Sequence, residues 1–176
     1  MPGLLKAQNN PAPTVAIPPE NGAYYQTNAG WLAIRGTLLM PFFQDTLSET
    51  LSLGHSAANV DLPGASVNFR VSSPRPTFVV RGLSPETGLY LVRETHKDDF
   101  RRLRMTASKE MSQWAHFRSK DLTSVDAEPL DSNVIRVRPH GDLRPGDYIL
   151  VSDLESRFRA ILVGFEFHVM GPTTGS

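Results

Sequence analysis

The feature that most constrains this chain is the recurrence of short runs in which apolar and polar residues alternate. Alternation with a period of two is typical of a half-buried β-strand. Proline and glycine, 14 and 13 of the 176 residues, separate these runs as turn-forming residues. Roughly nine or ten such strands, about 8–14 residues apart, predict an all-β fold, either an antiparallel β-sandwich or a small barrel.

Gly88–Met105 has the clearest hairpin pattern, because two alternating stretches flank a polar turn of four residues. We predict a register in which Thr95 lies opposite Phe100. In this register Glu94 lies opposite Arg101, and the two side chains form an ion pair at the end of an apolar stripe. The apolar face of the hairpin requires a core to pack against.

Three arginines share the other face of this predicted hairpin. Arg93 lies directly opposite Arg102, with Arg104 beside them, so a carboxylate or a bound anion is needed between the like charges. Guanidinium groups bind such anions bidentately, which makes these three residues candidates for binding an acidic protein surface or an acidic glycan. The alternative is a solvated edge neutralised by acids from neighbouring loops. Those acids are Asp126, Glu128 and Asp131.

Further strands follow from the same alternation. The predicted ranges are 22–35 (a hairpin), 65–71, 77–81, 113–117 and 133–138.

Residues 147–152 and 157–169 form a closing hairpin with Ser152 opposite Arg157, and its apolar residues on both faces predict a central position or one beneath a covering layer. The stretch 36–61 has the least regular pattern, and 45–53 is equally compatible with one short helix.

The chain divides into three parts by composition. Residues 1–21 contain five prolines and few bulky apolar groups, which predicts a flexible tail. A single β domain spans 22–169, and residues 170–176 form a frayed C-terminus. The tail is either a spacer or an arm that becomes ordered against a partner, including another copy of the chain.

Composition also bounds the partners. Eighteen basic and eighteen acidic residues give a formal net charge of zero, which removes the general electrostatic argument for binding nucleic acid or an anionic membrane. The sequence has no cysteine and no apolar run near the roughly 20 residues that a membrane helix needs. The N-terminal composition is typical of the segment after a cleaved leader, so a periplasmic or secreted location is expected, and a cytoplasmic location stays open.

The sequence shows no strong catalytic motif. None of the five histidines lies at metal-ligand spacing from another. Gly54–Ala58 matches the G-x-S-x-A pattern of a nucleophile elbow around Ser56, but no helix pattern follows it, which argues against a serine hydrolase. No phosphate-binding loop or dinucleotide fingerprint is present. We therefore predict no catalytic residues, no metal site and no cofactor.

Several short segments resemble a family of predicted secreted or periplasmic bacterial proteins of unknown function, from Gly22 to about Phe167. They are GAYYQTNAGW at 22–31, Pro76–Phe78, Leu91–Arg93 with the Arg101-Arg102 pair, Leu143–Tyr148 and Gly164–Phe167. These are turn and strand-start segments. The resemblance implies a β-rich architecture and export, and it contributes no functional residues.

Together these observations predict a non-enzymatic binding or assembly module outside the cytoplasm, which contacts a protein or glycan through a sheet edge or the arginine face. The alternative is a structural subunit that polymerises through its N-terminal arm. A hydrolase whose site is not visible in the sequence is the third hypothesis.

Overall fold

The computed structural model describes residues 16–39, 42–43, 55–83, 88–108, 115–152 and 162–171. Nearly all of this part of the chain is β-structure, arranged in three sheets that do not close into a barrel. The all-β prediction is therefore confirmed, in its sandwich form. The predicted helix at 45–53 lies outside the described residues.

Sixteen strands and one 3-10 turn, Ser119–Asp121, make up the described regular structure. The strands are β1 Gly22–Thr27, β2 Gly30–Ile34, β3 Gly36–Leu39, β4 Phe42–Phe43, β5 His55–Pro63, β6 Arg70–Val71, β7 Phe78–Arg81, β8 Leu89–Arg93, β9 Thr95–His96, β10 Phe100–Ser108, β11 Ala115–Phe117, β12 Leu122–Thr123, β13 Val125–Asp131, β14 Val134–Pro139, β15 Gly146–Ser152 and β16 Leu162–Val169.

The three sheets differ in position and in order. The front sheet has the order β13-β14-β7-β1-β2, and the central sheet has the order β12-β8-β15-β16-β3. The back sheet has the order β11-β10-β5-β4, with β9 paired to β10. Neighbouring strands are antiparallel, except that β6 runs parallel to β16 beside the central sheet.

Two apolar cores separate the sheets, so the central sheet is buried on both faces. The front core joins the front sheet to one face of the central sheet, with Phe78, Leu150 and Phe167 among its buried members. The back core joins the opposite face to the back sheet, and Ile149 and Leu103 belong to it. Adjacent residues of β15 thus enter different cores, as the period of two requires.

The central position predicted for the closing hairpin is confirmed, but its predicted register is wrong. Val151 lies opposite Gly164, and Tyr148 lies opposite Phe167 with the two rings stacked 5.9 Å apart. Gly164 explains this register, because a Cβ atom at that position would overlap the side chain of Ile149. The predicted turn after Ser152 falls outside the described residues.

The opening hairpin forms as predicted, whereas Gly88–Met105 does not form one hairpin. β1 and β2 pair around a two-residue turn, with Thr27 opposite Gly30 next to the turn and Ala23 opposite Ile34 at the far end. By contrast, β8 belongs to the central sheet and β10 to the back sheet, and the chain crosses between them at Glu94. Only the short strand β9 pairs with β10, and Arg102 lies opposite Thr95.

The predicted strand at 65–71 is mostly an extended segment without a ladder. Only Arg70 and Val71 pair with a neighbouring strand. Val67 and Val71 are nevertheless buried on the side that the alternation indicates. The remaining predictions at 77–81, 113–117 and 133–138 correspond to β7, β11 and β14.

The close approach at Gly164 yields a stability prediction. Replacing Gly164 with Ala places a methyl group against Ile149 and Leu39. Over-packing of this kind costs about 1–3 kcal/mol, so the urea midpoint of Gly164→Ala should fall clearly. The control is Gly141→Ala, because a Cβ atom there meets no atom within 4 Å. Equal midpoints for the two variants would contradict the proposed packing role.

Candidate functional site

The three arginines predicted to share one face lie on two different sheets. Arg93 ends β8 in the central sheet and lies opposite Tyr148. Arg102 and Arg104 lie on β10 in the back sheet, opposite Asp61 and Asn59 of β5. The predicted pairing of Arg93 with Arg102 is therefore wrong, because the chain changes sheets between them.

Carboxylates already hold two of these guanidinium groups. Arg102 donates Nε and Nη2 to the two carboxylate oxygens of Asp61 at 2.6 and 2.8 Å. Arg104 makes the corresponding pair with Asp121 at 3.2 and 2.8 Å. Arg93 is exposed and donates Nη2 to the carbonyl oxygen of Pro145 at 3.2 Å. Anion binding by these three residues stays a prediction.

The acids expected to neutralise this face have other partners. Asp126 lies 2.7 Å from His140, and Glu128 accepts a 2.8 Å hydrogen bond from Arg136 on the front sheet. The carboxylate of Asp131 accepts from the backbone N–H of Ser132. Asp61 and Asp121 neutralise Arg102 and Arg104 instead, because β5 and the 3-10 turn lie beside β10.

A buried polar cluster lies at one end of the back core, and it is the strongest candidate site. Its members are Glu94, His96, Arg101, Asp147, Glu166 and His168. Glu94 lies two residues after Val92, and Asp147 lies two residues before Ile149. Both acids therefore lie on the face of the central sheet that the back core covers. The charged groups of the cluster thus lie between the central and back sheets, at the end of their apolar interface.

Arg101 is the centre of this cluster and is only 4% exposed. Its Nε donates to Glu94 Oε2 at 2.8 Å, and its Nη2 donates to Glu166 Oε1. Its Nη1 donates to the carbonyl oxygens of Gly64 and Ser66 at 3.2 and 2.7 Å. The predicted contact between Glu94 and Arg101 is therefore confirmed, although the strands that carry it are arranged differently.

Asp147 faces two imidazole rings while being 1% exposed. His168 Nδ1 lies 2.5 Å from its Oδ1, and the two residues are directly opposite on β16 and β15. His96 Nε2 lies 3.0 Å from Oδ2, within ion-pair range but without hydrogen-bond alignment. His96 Nδ1 lies 3.1 Å from the carbonyl oxygen of Ala65.

Burial and neighbouring charge raise the pKa of Glu94 to about 8, from an ordinary value of 4.5. Desolvation is the largest cause, followed by the negative charge of Glu166, whereas Arg101 acts in the opposite direction. A carboxyl group with this pKa holds its proton at neutral pH. The cluster can therefore bind and release a proton near physiological pH.

The described residues do not assemble a metal site. Among them, no group of three or more His, Asp or Glu side chains has an arrangement that could hold a metal ion. Ser56 of the elbow-like segment lies inside β5, opposite Ala107, whereas a nucleophile elbow requires a strand-to-helix turn. The described part of the chain also includes no helix long and apolar enough to cross a bilayer.

Sequence reasoning did not bring Asp147, Glu166 and the two histidines into the predicted site. The available signal was an acid inside an apolar strand, as in Phe165-Glu166-Phe167 and Asp147-Tyr148-Ile149. A charged residue at a position that should be buried requires a partner. The partner of Glu166 is more than sixty residues earlier in the chain, beyond the reach of local patterns.

Adjacent arginines of β10 provide a matched test of the cluster. Arg101→Met leaves Glu94 and Glu166 without their buried cation, and we expect a loss of about 3–5 kcal/mol in the free energy of unfolding. Arg102→Met removes a half-exposed pair with Asp61 and should cost less than about 1 kcal/mol. Urea unfolding of both variants gives the comparison, and equal losses would contradict a structural role for the cluster.

No known protein family, characterised protein or solved structure matches this chain. The sequence resemblance to exported bacterial proteins stays a prediction.

Proposed function

We propose that this protein is a non-enzymatic assembly module that acts outside the cytoplasm and joins a second copy of itself at the edge strand β3. The observation that carries the proposal is the chemistry of this edge. β3 pairs with β16 on one side, and no strand in the described ranges pairs with its other side. An edge of this kind can accept a further strand through main-chain hydrogen bonds.

The edge strand β13, by contrast, is protected against pairing with a further strand. β13 carries Asp126, Glu128 and Asp131, together with Pro129 and an irregular register beside it. Charge, proline and irregular pairing are the usual means of preventing edge-to-edge association. β3 has the sequence Gly-Thr-Leu-Leu and contains none of these residues.

An exposed apolar pair lies directly beside this edge. Leu38 of β3 is 66% exposed, and its cross-strand neighbour Val163 of β16 is 43% exposed. Burying both side chains would remove apolar surface from water, which is the main driving force of association. An added strand would thus gain side-chain contacts as well as hydrogen bonds.

A second copy of the chain fits this edge for two reasons. The most common homo-oligomer is a two-fold dimer, in which one self-complementary patch pairs with itself, and an uncharged strand has no like charges to oppose. The formal net charge of the whole chain is zero, so long-range repulsion does not oppose self-association. Two central sheets joined in this way would form one continuous sheet.

Light scattering coupled to size-exclusion chromatography tests the proposal. We expect wild-type protein to shift from monomer to dimer as concentration rises from about 5 to about 200 μM, a range suited to a moderately weak contact. Leu38→Lys places a charge at the edge and should leave the protein monomeric. Ala127→Lys is the matched control, because it adds the same charge to the exposed strand β13.

Two outcomes would overturn this assignment. A wild-type monomer at every concentration excludes self-assembly at β3. Loss of the dimer on deletion of residues 2–15, together with its retention in Leu38→Lys, would instead support assembly through the N-terminal arm. The location outside the cytoplasm is tested separately, by fractionation of cells that express the native gene.

A second candidate function is binding of a neutral glycan, which a surface cleft favours. The cleft has a volume of about 650 Å³ at the β1–β2 turn. Uncharged hydroxyl and amide side chains dominate its lining. They are Gln26, Thr27, Asn28, Ser72, Ser73 and Thr77. Groups of this type exchange hydrogen bonds with sugar hydroxyls.

Nuclear magnetic resonance titration tests this second candidate. Maltotriose and cellotriose serve as neutral probes, and binding should shift the backbone amide signals of residues 26–29 and 72–73. Asn28→Ala combined with Ser72→Ala should reduce these shifts by at least about tenfold, because two hydrogen-bonding groups are lost. Unchanged spectra with both sugars at millimolar concentration would exclude this candidate for linear glucans.

A further inference from the structure

The two most buried acids of the polar cluster are direct cross-strand neighbours. Arg93 pairs with Tyr148, and the backbone N–H of Glu94 donates to the carbonyl oxygen of Asp147 at 3.0 Å, which extends the same ladder by one residue. Opposite residues of an antiparallel pair project to the same face, with Cβ atoms about 5 Å apart. The two carboxyl groups therefore lie side by side.

Each of these carboxyl groups has one buried oxygen without a hydrogen bond. Glu94 Oε1 and Asp147 Oδ2 are the two buried side-chain polar atoms, within the described part of the chain, that have no hydrogen-bond partner. A buried carboxylate oxygen without a donor is costly, since native proteins satisfy nearly all such groups. His96 Nε2 lies 3.0 Å from Asp147 Oδ2 without hydrogen-bond alignment, and a proton on Glu94 Oε1 would satisfy both oxygens.

The charges around the Glu94–Asp147 pair also favour a shared proton. Among the described residues, Arg101 is the guanidinium in contact with the cluster acids, and it faces both Glu94 and Glu166. Asp147 adds a third carboxyl group, opposite His96 and His168. Arg70 lies on β6 opposite His168, at the exposed side. Three ionised carboxyl groups would carry more negative charge than Arg101 alone offsets, and a proton on one of them reduces the excess.

We infer that Glu94 and Asp147 share one proton, with Glu94 Oε1–H donating to Asp147 Oδ2, and that this proton joins the ends of two neighbouring strands of the central sheet. The assignment to Glu94 follows from its surroundings. Asp147 keeps a contact between Oδ1 and His168, and Glu166 is held by Arg101 and by the Thr37 hydroxyl at 2.6 Å. Glu94 has Arg101 as its one charged hydrogen-bond partner.

The shared proton makes the buried end of the β8–β15 pair dependent on pH. Glu94 lies at the crossing between β8 and β9, and its pKa of about 8 exceeds the ordinary value of 4.5. Between these values the folded chain binds a proton that the unfolded chain has lost. Stability therefore falls as pH rises from about 5 to about 8 and levels off above that range. Full release would leave two adjacent buried negative charges.

The decisive comparison is wild type against Glu94→Gln. The glutamine amide donates as the shared proton does, but it does not titrate. The folding equilibrium constant of wild type, from urea unfolding, should fall by up to tenfold per pH unit between pH 6 and pH 8. Relative to wild type, Glu94→Gln should lose this part of the pH dependence.

A direct readout and a control complete the experiment. In carboxyl ¹³C spectra, one glutamate signal should titrate near pH 8 and be absent from Glu94→Gln. Glu128→Gln is the control, because it removes an exposed carboxylate outside the cluster, and its pH profile should keep the wild-type slope. Parallel pH profiles for wild type and Glu94→Gln, or ordinary titration of every glutamate, would overturn the inference. A Glu94→Gln variant as unstable at pH 6 as Glu94→Ala would also overturn it.

Discussion

Burial of both faces of the central sheet is the constraint on which the rest of this structure depends. A sheet with one solvent-exposed face can alternate apolar and polar residues. Because both faces of β15 are buried, this strand must supply apolar groups at successive positions. Tyr148 and Leu150 therefore enter the front core, while Ile149 and Val151 enter the back core. Two further sheets are needed to cover these faces, which explains why the described chain forms three layers.

The same constraint makes the polar cluster costly and informative. Apolar packing of the back core ends at Asp147 and Glu166, where buried acids replace leucine and valine. Buried charges add little net stability compared with apolar side chains, but removal of one partner is severe. Arg101 of the back sheet is hydrogen-bonded to Glu94 and Glu166 of the central layer, so it connects the two layers at this point.

Local patterns in the sequence predicted strands with clear alternation, including the edge strands β2 and β11, and missed strands whose alternation is weak or interrupted. The hairpin at 22–35 was predicted because alternation and its turn coincide in one short segment. β13 was not predicted, because the charges and Pro129 that protect an edge also remove the strand pattern. β5 was missed because residues 55–63 alternate weakly, although β5 pairs along the whole of β10.

Pairings between distant strands were beyond reach for a different reason. The Glu94–Arg101 pair was predicted from a hairpin that does not exist, and it forms because the chain crosses between sheets at Glu94. Asp147, Glu166 and His168 join the same site from strands that no local pattern connects to β8 or β10. Register in the closing hairpin depended on one close contact, between Gly164 and Ile149, which becomes visible only in three dimensions.

The pairing of β3 with β16 also determines when the fold can be completed. Leu38 lies opposite Val163, so β3 gains this partner only after more than a hundred further residues have been synthesised. Pairing over such a separation has a loop-closure cost and slows folding. Until β16 is available, β3 lacks the strand with which it pairs in the central sheet.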